Sequence, residues 1–186
     1  MQIFDFEEKD SGELIKFYRE YLNDGDEPVA LIRDACEKGL YFGSKAVEDG
    51  KTIGFFTFQE GISFTCPRPE LYEEIRKLTG DEKTATVDTL VVLPEYRGRA
   101  ITADLLENNR IHFRERGIRY VMTECWVFPD GKSPSLKYYK KMGKIIYEKM
   151  FPDFYSDISK YSITCPICGK NCSCGADILL TDLSGN

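Results

Sequence analysis

Four of the seven cysteines crowd into one short run, Cys165-Pro166-Ile167-Cys168-Gly169-Lys170-Asn171-Cys172-Ser173-Cys174. A Cys-Pro-x-Cys-Gly turn looks like a zinc knuckle, which aims two thiolates and its own amides at one point. Cys172 and Cys174 would complete a four-sulfur tetrahedron. Four thiolates leave no open coordination position, so a metal here, zinc being the candidate, is structural and not catalytic. The spacing between the pairs is shorter than in a zinc ribbon, and a loop of free thiols is the competing reading. Cys36, Cys66 and Cys125 are scattered, and an odd total argues for buried thiols over a disulfide framework.

A second chemistry is anion binding. In Leu90-Val91-Val92-Leu93-Pro94-Glu95-Tyr96-Arg97-Gly98-Arg99-Ala100-Ile101-Thr102 a β-branched strand runs through a short turn straight into a helix. The first amides of a helix have no internal partners, and the helix dipole favours a negative charge there. Small residues at Gly98 and Ala100 let the backbone approach an anion, and Arg97 and Arg99 add charge. The segment reads as a pyrophosphate cradle built from amides. An ordinary turn with solvated arginines is the plainer alternative.

A third is proton transfer. Glu124 sits mid-strand in Tyr120-Val121-Met122-Thr123-Glu124-Cys125-Trp126, and period-2 alternation puts it on one face with Met122 and Trp126. A carboxylate among apolar neighbours has its pKa pushed up, which suits a base. Asp88 lies on the preceding strand, on the face of Thr86 and Leu90. Either could instead be a carboxylate at a wet sheet edge or one paired with a lysine. The single histidine, His112, falls on the inward arc of a helix and reads as a core or boundary residue.

The elements that must hold these groups alternate. Helical spacing of Leu14, Ile15, Tyr18 and Leu22 predicts a helix from Ser11 to about Asn23. A break at Asn23-Asp24-Gly25-Asp26 follows, then a helix from Pro28 to a stop at Gly39. Strands over 41–48 and 51–58 meet at Asp49-Gly50, which accepts the positive backbone angles of a tight hairpin. An excursion over 61–80 carries a short helix from Pro69. Further expectations are a strand over 85–93, a helix over 99–117, a strand over 119–128, a helix over 134–142, and strands over 144–151 and 176–183. The pattern is α/β (α+β) with a mixed sheet flanked by helices. Its length of 186 residues suits one domain, with a core of about 11–151 plus the last strand and a cysteine-rich insertion at about 161–175.

Composition narrows the functional classes. A net charge of −6 offers no basic footprint for nucleic acid and would attract a cationic substrate. No run of 18 apolar residues suggests a membrane span. The N-terminus lacks the basic flank and apolar run of a signal peptide, which points to the cytoplasm.

Arg97-Gly98-Arg99-Ala100-Ile101-Thr102 resembles the acetyl-CoA signature of the GNAT superfamily of N-acetyltransferases, Arg/Gln-x-x-Gly-x-Gly/Ala, and the preceding Leu-Pro-Glu-Tyr is also typical of it. Ala100 and Thr102 depart from the usual small residues but keep their amides. The order of elements from about Ser11 to Phe151 follows the same family. The resemblance implies a GNAT fold and acyl transfer from acyl-CoA to an amine by direct attack in a ternary complex. It implies that Arg97 to Thr102 hold the pyrophosphate, and that Leu90, Val91 and Val92, on a strand splayed from its neighbour, hold the pantetheine arm. Ser135-Leu136-Lys137-Tyr138-Tyr139 resembles a family segment in which a small residue, here Ser135, precedes a tyrosine, here Tyr139, that donates a proton to the CoA thiolate. Tyr138 is a local competitor. Some members carry a glutamate near Glu124; others use a water chain and no direct base. The acceptor amine is not legible, and the resemblance leaves room for a homodimer. The second functional reading is a catalytically silent module of this fold that binds acyl-CoA or a protein partner.

Overall fold

A computed structural model describes residues 1–186 apart from Asp24, Pro67, Ser162 and Asn186. Asp24 belongs to the break expected between the first two helices and so lies outside the described residues. In chain order the elements are β1 (Gln2–Asp5), α1 (Ser11–Tyr21), α2 (Asp26–Glu37), β2 (Tyr41–Glu48), β3 (Lys51–Glu60), α3 (Pro69–Thr79), β4 (Thr84–Val92), α4 (Ile101–Arg116), β5 (Tyr120–Val127), α5 (Leu136–Tyr139), β6 (Lys144–Phe151) and β7 (Gly175–Asp182). No helix among the described residues is long and apolar enough to cross a membrane.

The strands form one seven-stranded sheet in the order β1-β2-β3-β4-β5-β7-β6. Every neighbouring pair is antiparallel except β4 and β5. The β2–β3 hairpin turns at Asp49 (φ 51°) and Gly50 (φ 75°), the left-handed pair that its sequence predicts. The last strand does not extend the edge but inserts between β5 and β6. The cysteine-rich segment is therefore the connection from β6 at the sheet edge back to β7.

Period-2 alternation on β3 separates the two faces. Phe55 meets Phe17 of α1 edge-on at 5.2 Å. Phe58 points the other way and meets Phe113 of α4 at 4.8 Å, while Phe56, on the same face, lies 6.1 Å from Tyr139 of α5. All three β3 rings are fully buried, each contributing about 1.5–3 kcal/mol of apolar transfer. So α1 lies on one face, and α4 and α5 on the other. A second cluster joins Leu71 and Ile75 of α3, Met122 of β5, Ile178 and Leu180 of β7, Phe154, Tyr155 and the cysteines of the β6–β7 connection.

Three element expectations need correction. The first residues form an edge strand, β1, paired to β2 through Gln2–Val47 to Asp5–Ser44, where no strand was expected. The α4 helix starts at Ile101 and not Arg99, because Gly98 (φ 81°) and Ala100 (φ 62°) are left-handed. The helix expected over 134–142 contracts to Leu136–Tyr139. His112 is a boundary residue: 15% of its side chain is exposed, and Nε2 lies 3.1 Å from Asp5.

Candidate active site

The parallel pairing of β4 with β5 is brief. It runs only through Thr84–Tyr120, Ala85–Val121 and Thr86–Met122. Beyond Thr86 the strands part, so from Val87 to Val92 the β5-facing edge of β4 has no strand partner, while its other edge stays paired to β3 as far as Val92. A backbone edge inside a fold needs hydrogen-bonding partners, and an extended ligand rich in amides can supply them. Of the residues expected along that edge, Val91 and Val92 are buried and Leu90 is half-buried. The Val92 carbonyl already accepts from Arg97 Nε at 2.9 Å.

At the end of the opening, the turn after β4 presents the start of α4. Ala100, the N-cap, accepts from the amides of Ala103 and Asp104 at 2.8 and 3.2 Å. Among the described residues no hydrogen bond runs from the amides of Gly98 to Thr102 to a protein acceptor. With α4 sixteen residues long, these amides sit at the positive end of the helix dipole, where an anion is favoured. The two arginines point elsewhere. Arg97 is tied to the Val92 carbonyl, and Arg99 makes a two-pronged pair with Glu48 at 2.9 and 2.6 Å. The amides without a protein acceptor are therefore main chain, and both arginine side chains are held by other partners.

Continuing the β4–β5 register by two residues sets Asp88 opposite Glu124 across the parting strands. Asp88 sits where the β3–β4 register slips, between the Thr57–Thr89 and Phe58–Val87 pairs. A bulge of this kind re-aims a side chain. Asp88 accepts hydrogen bonds from the Tyr41 hydroxyl and from Thr89 Oγ1, the latter at 2.8 Å. Tyr41 also shares a 2.7 Å hydrogen bond with Thr57 Oγ1. Glu124 accepts from the Tyr155 hydroxyl at 2.6 Å and from the Thr65 amide at 3.0 Å. Burial raises both carboxyl pKa values, and these hydrogen bonds, which favour the charged form, oppose the rise. The partners are hydroxyls and one amide, not the lysine of the plainer reading. Tyr41 ties Asp88 to Thr57, which alternates with Phe56 and Phe58 on β3 and so shares the α1 face with Phe55; Glu124 shares the face of Met122, opposite Thr123 and Cys125. Burial holds the Tyr18 phenol of α1 far above the usual range, and the charge of Asp88 pushes it the same way.

Tyr139 lies on the opposite face, with α4. It is buried, and desolvation keeps its proton on throughout the physiological range, with Ser135 pulling weakly the other way. Its neighbour Tyr138 is only half-buried, with Lys137 over its ring. The sheet thus carries Asp88 toward α1 and a protonated phenol toward α4, with the parted strands between them. A cleft of about 370 Å³ is lined by Leu31 of α2 and by Ile62, Ser63, Phe64, Arg68 and Tyr72, and the amide of Thr65, next in the chain to Phe64, donates to Glu124. A hollow of similar size lies at the far end of α4, lined by Glu107, Arg110 and Leu183 among others; neither it nor the cleft is lined by a candidate site residue.

The four clustered cysteines converge. Their sulfurs all lie within 4.8 Å of one another. The Cys165 and Cys168 sulfurs stand 3.9 and 3.3 Å from that of Cys174, and none of the four is in a disulfide. The cluster can hold a metal ion. Cys168, the least buried of the four, has its thiol lowered to about 7, chiefly by the backbone at Ser173.

Residues 7–144 match the family model described as Acetyltransferase (GNAT) family. The chain belongs to the acetyltransferase (GNAT) family. The sheet, with its single parallel pair parting beyond Thr86, is the GNAT fold, and the chain is accordingly an enzyme of acyl transfer from acyl-CoA to amines. Among solved structures, the chain is similar to Arabidopsis thaliana NAA60 in complex with a bisubstrate analogue (16% identity, TM-score 0.65, all of both chains covered). It is similar to an N-acetyltransferase from Staphylococcus aureus Mu50 (15%, TM-score 0.62, 98% of each chain). It is also similar to the polyamine N acetyltransferase of Drosophila melanogaster (14%, TM-score 0.63, 98% of this chain and 100% of that one). At such identities the likeness is one of fold. No curated protein matches the sequence.

Sequence reasoning missed the partners of this GNAT site. Tyr18, Tyr41, Thr65 and Tyr155 carry no local signal. Tyr155 sits in an aromatic-rich stretch, Phe151-Pro152-Asp153-Phe154-Tyr155, but only the tertiary fold brings its hydroxyl to Glu124.

Proposed function

We propose that this enzyme transfers an acetyl or similar acyl group from acyl-CoA to a primary amine by direct attack in a ternary complex. The observation that carries the reading is the register of Asp88 and Glu124 across the parted β4 and β5, with Asp88 tied through Tyr41 to Thr57 on the β3 face opposite the one Tyr139 packs on. The diphosphate of acyl-CoA would settle on the amides of Gly98 to Thr102. The pantetheine arm would then run along the free edge at Leu90, Val91 and Val92, bringing the thioester to the opening between the strands. The amine would come from the α1 and α2 side, along the cleft bounded by Leu31 and Phe64. The mainly apolar walls of that cleft suit an amine attached to an apolar group, and the two acids suit its positive charge.

Attack requires a neutral amine. A carboxylate whose pKa is raised by burial is a better proton acceptor than one in water, and Glu124 or Asp88 takes the proton directly or through a water. The departing thiolate needs a proton, and Tyr139 keeps one available from the other face. The amide bond forms as the thioester C–S bond breaks. Nitrogen loses two protons: one passes to the carboxylate and on to solvent, and the second, shed as the C–N bond forms, returns through solvent to the Tyr139 oxygen, which has given its own proton to sulfur.

The test is CoA-thiol release from acetyl-CoA across a panel of amines, with Tyr139→Phe and Glu124→Gln as controls. Turnover that both variants reduce supports the reading. Acetyl-CoA binding with no turnover on any amine supports the silent binding module instead.

A further inference from the structure

Among its described residues the β6–β7 connection, residues 152–174, has little regular structure: one 3-10 turn at Ile158–Tyr161 and a single bridge between Cys165 and Gly169. Connections this long with few elements of their own are uncommon, and are usually either functional or disordered. This one nevertheless buries Phe154, Tyr155, Ile158, Ile163 and three of the four clustered cysteines.

The sulfurs explain how. A zinc ion bound at about 2.3 Å by four thiolates places those sulfurs about 3.8 Å apart. The Cys165–Cys174 and Cys168–Cys174 separations of 3.9 and 3.3 Å lie close to that spacing. Sulfur-directed amides are in place as well. Ile167 and Cys168 donate to the Cys165 sulfur at 3.4 and 3.3 Å, and the Cys174 amide donates to the Cys172 sulfur at 3.4 Å. Such bonds orient thiolates on a metal. Gly169 takes φ 71° to close the knuckle, and its amide and carbonyl pair with Cys165.

The cluster reaches the reaction centre by a short route. The Cys174 carbonyl accepts from the Tyr155 amide at 3.2 Å. The Tyr155 ring stacks on Trp126 with centroids 4.2 Å apart and planes 19° from parallel. The Tyr155 hydroxyl then donates to Glu124 at 2.6 Å. From the other side Arg68 holds the same segment by donating to the Phe154 carbonyl at 2.6 Å.

We propose that Cys165, Cys168, Cys172 and Cys174 bind one zinc ion as a tetrathiolate, and that this ion clamps the β6–β7 connection so that the Tyr155 hydroxyl stays on Glu124. Tyr155 is a positioning residue. The metal itself never meets substrate, because its four positions are filled. The clamping role rests on the reading in which Glu124 faces the acceptor amine; the metal site does not.

The test uses the full chain purified without chelator. Metal analysis should find about one zinc per chain. Displacement with a mercurial thiol reagent, in the presence of a zinc dye, should release it, and thiol reversal with added Zn²⁺ should restore it. Trp126 is the sole tryptophan, so its emission reports the Tyr155 stack. Zinc removal should shift that emission to the red and lower kcat about 10–100-fold, while KM for acetyl-CoA stays within about twofold. Tyr155→Phe should keep its zinc and reproduce the loss of kcat. Cys168→Ser should weaken zinc retention; if that variant does not fold, the reversible removal and Tyr155→Phe still decide. No metal in the purified protein, together with no tetrathiolate bands when the reduced chain is titrated with Co²⁺, would overturn the site. Iron in place of zinc would overturn the zinc assignment. Zinc loss that leaves Trp126 emission and kcat unchanged would overturn the clamp. Absence of acyl transfer in the zinc-loaded protein would instead refute the transferase reading, and zinc content and Trp126 emission would still judge the metal site and its hold on Tyr155.

Discussion

Replacing Tyr155 by Phe removes one hydroxyl from a buried carboxylate and little else, since the ring and its stack on Trp126 remain. The lost hydrogen bond, 2.6 Å to Glu124, favours the ionised carboxylate. A hydrogen bond to a charged group is worth about 1.5–3 kcal/mol, and one pKa unit is about 1.4 kcal/mol. The pKa of the Glu124 carboxyl should therefore rise further in the variant. A base works only when deprotonated, so a higher pKa moves the acid limb of the kcat/KM profile toward alkaline pH by the same amount. Below the limb the variant should be about 10–100-fold slower than wild type; well above it the two should converge. The assay is thiol release at fixed amine, run for both proteins with the same acceptor so that the amine's own ionisation cancels. Thr65 still donates to Glu124, which keeps the shift finite. An acid limb that stays in place, in a variant whose stability is unchanged, would refute the assignment of Glu124 as the titrating base.

Three further outcomes follow from named groups. Tyr139→Phe keeps the ring packing against Phe56 and removes only the proton donor, so kcat should fall about 100-fold or more with unchanged acetyl-CoA affinity in a binding assay. Ala100→Asp keeps a residue that tolerates the left-handed backbone (φ 62°) but sets a carboxylate beside the amides of Gly98 to Thr102. Acetyl-CoA affinity should drop at least about tenfold with little change in Tm. Asp88→Asn tests linkage. Burial raises the Asp88 pKa in the fold, so the wild-type carboxyl costs stability at pH values above its folded pKa and costs nothing below its unfolded pKa of about 3.9. The Asn variant should melt higher near pH 8, by about 2–4 °C per kcal/mol recovered, and the advantage should vanish near pH 3.

The local features of the fold were legible because their signals are local. Asp49-Gly50 needs positive backbone angles and marks a hairpin, and a β-branched run before Pro94 and Gly98 marks a strand, a turn and a helix start. The edge strand Gln2–Asp5 was not legible, because four residues with an exposed face gain their pairing only from β2. The shortening of α5 had the same origin, since helical spacing over 134–142 says nothing of where tertiary contacts stop. Glu124 and Asp88 could be placed on their strands from the sequence, but their hydrogen-bond partners could not. Tyr41 and Asp88 are 47 residues apart, Tyr155 and Glu124 are 31 apart, and only strand order and the returning β7 bring each pair together. Arg97 and Arg99 show the converse limit. Composition marks them as anion ligands, and the fold turns one to the Val92 carbonyl and the other to Glu48.

Backbone amide resonances followed during titration with acetyl-CoA test the central claim most directly. The account predicts saturable shifts concentrated at Gly98 to Thr102 and along Leu90 to Val92, with β1 and β6 unmoved. Saturating acetyl-CoA that leaves these amides in place, or that shifts only residues at the far end of α4, would contradict it.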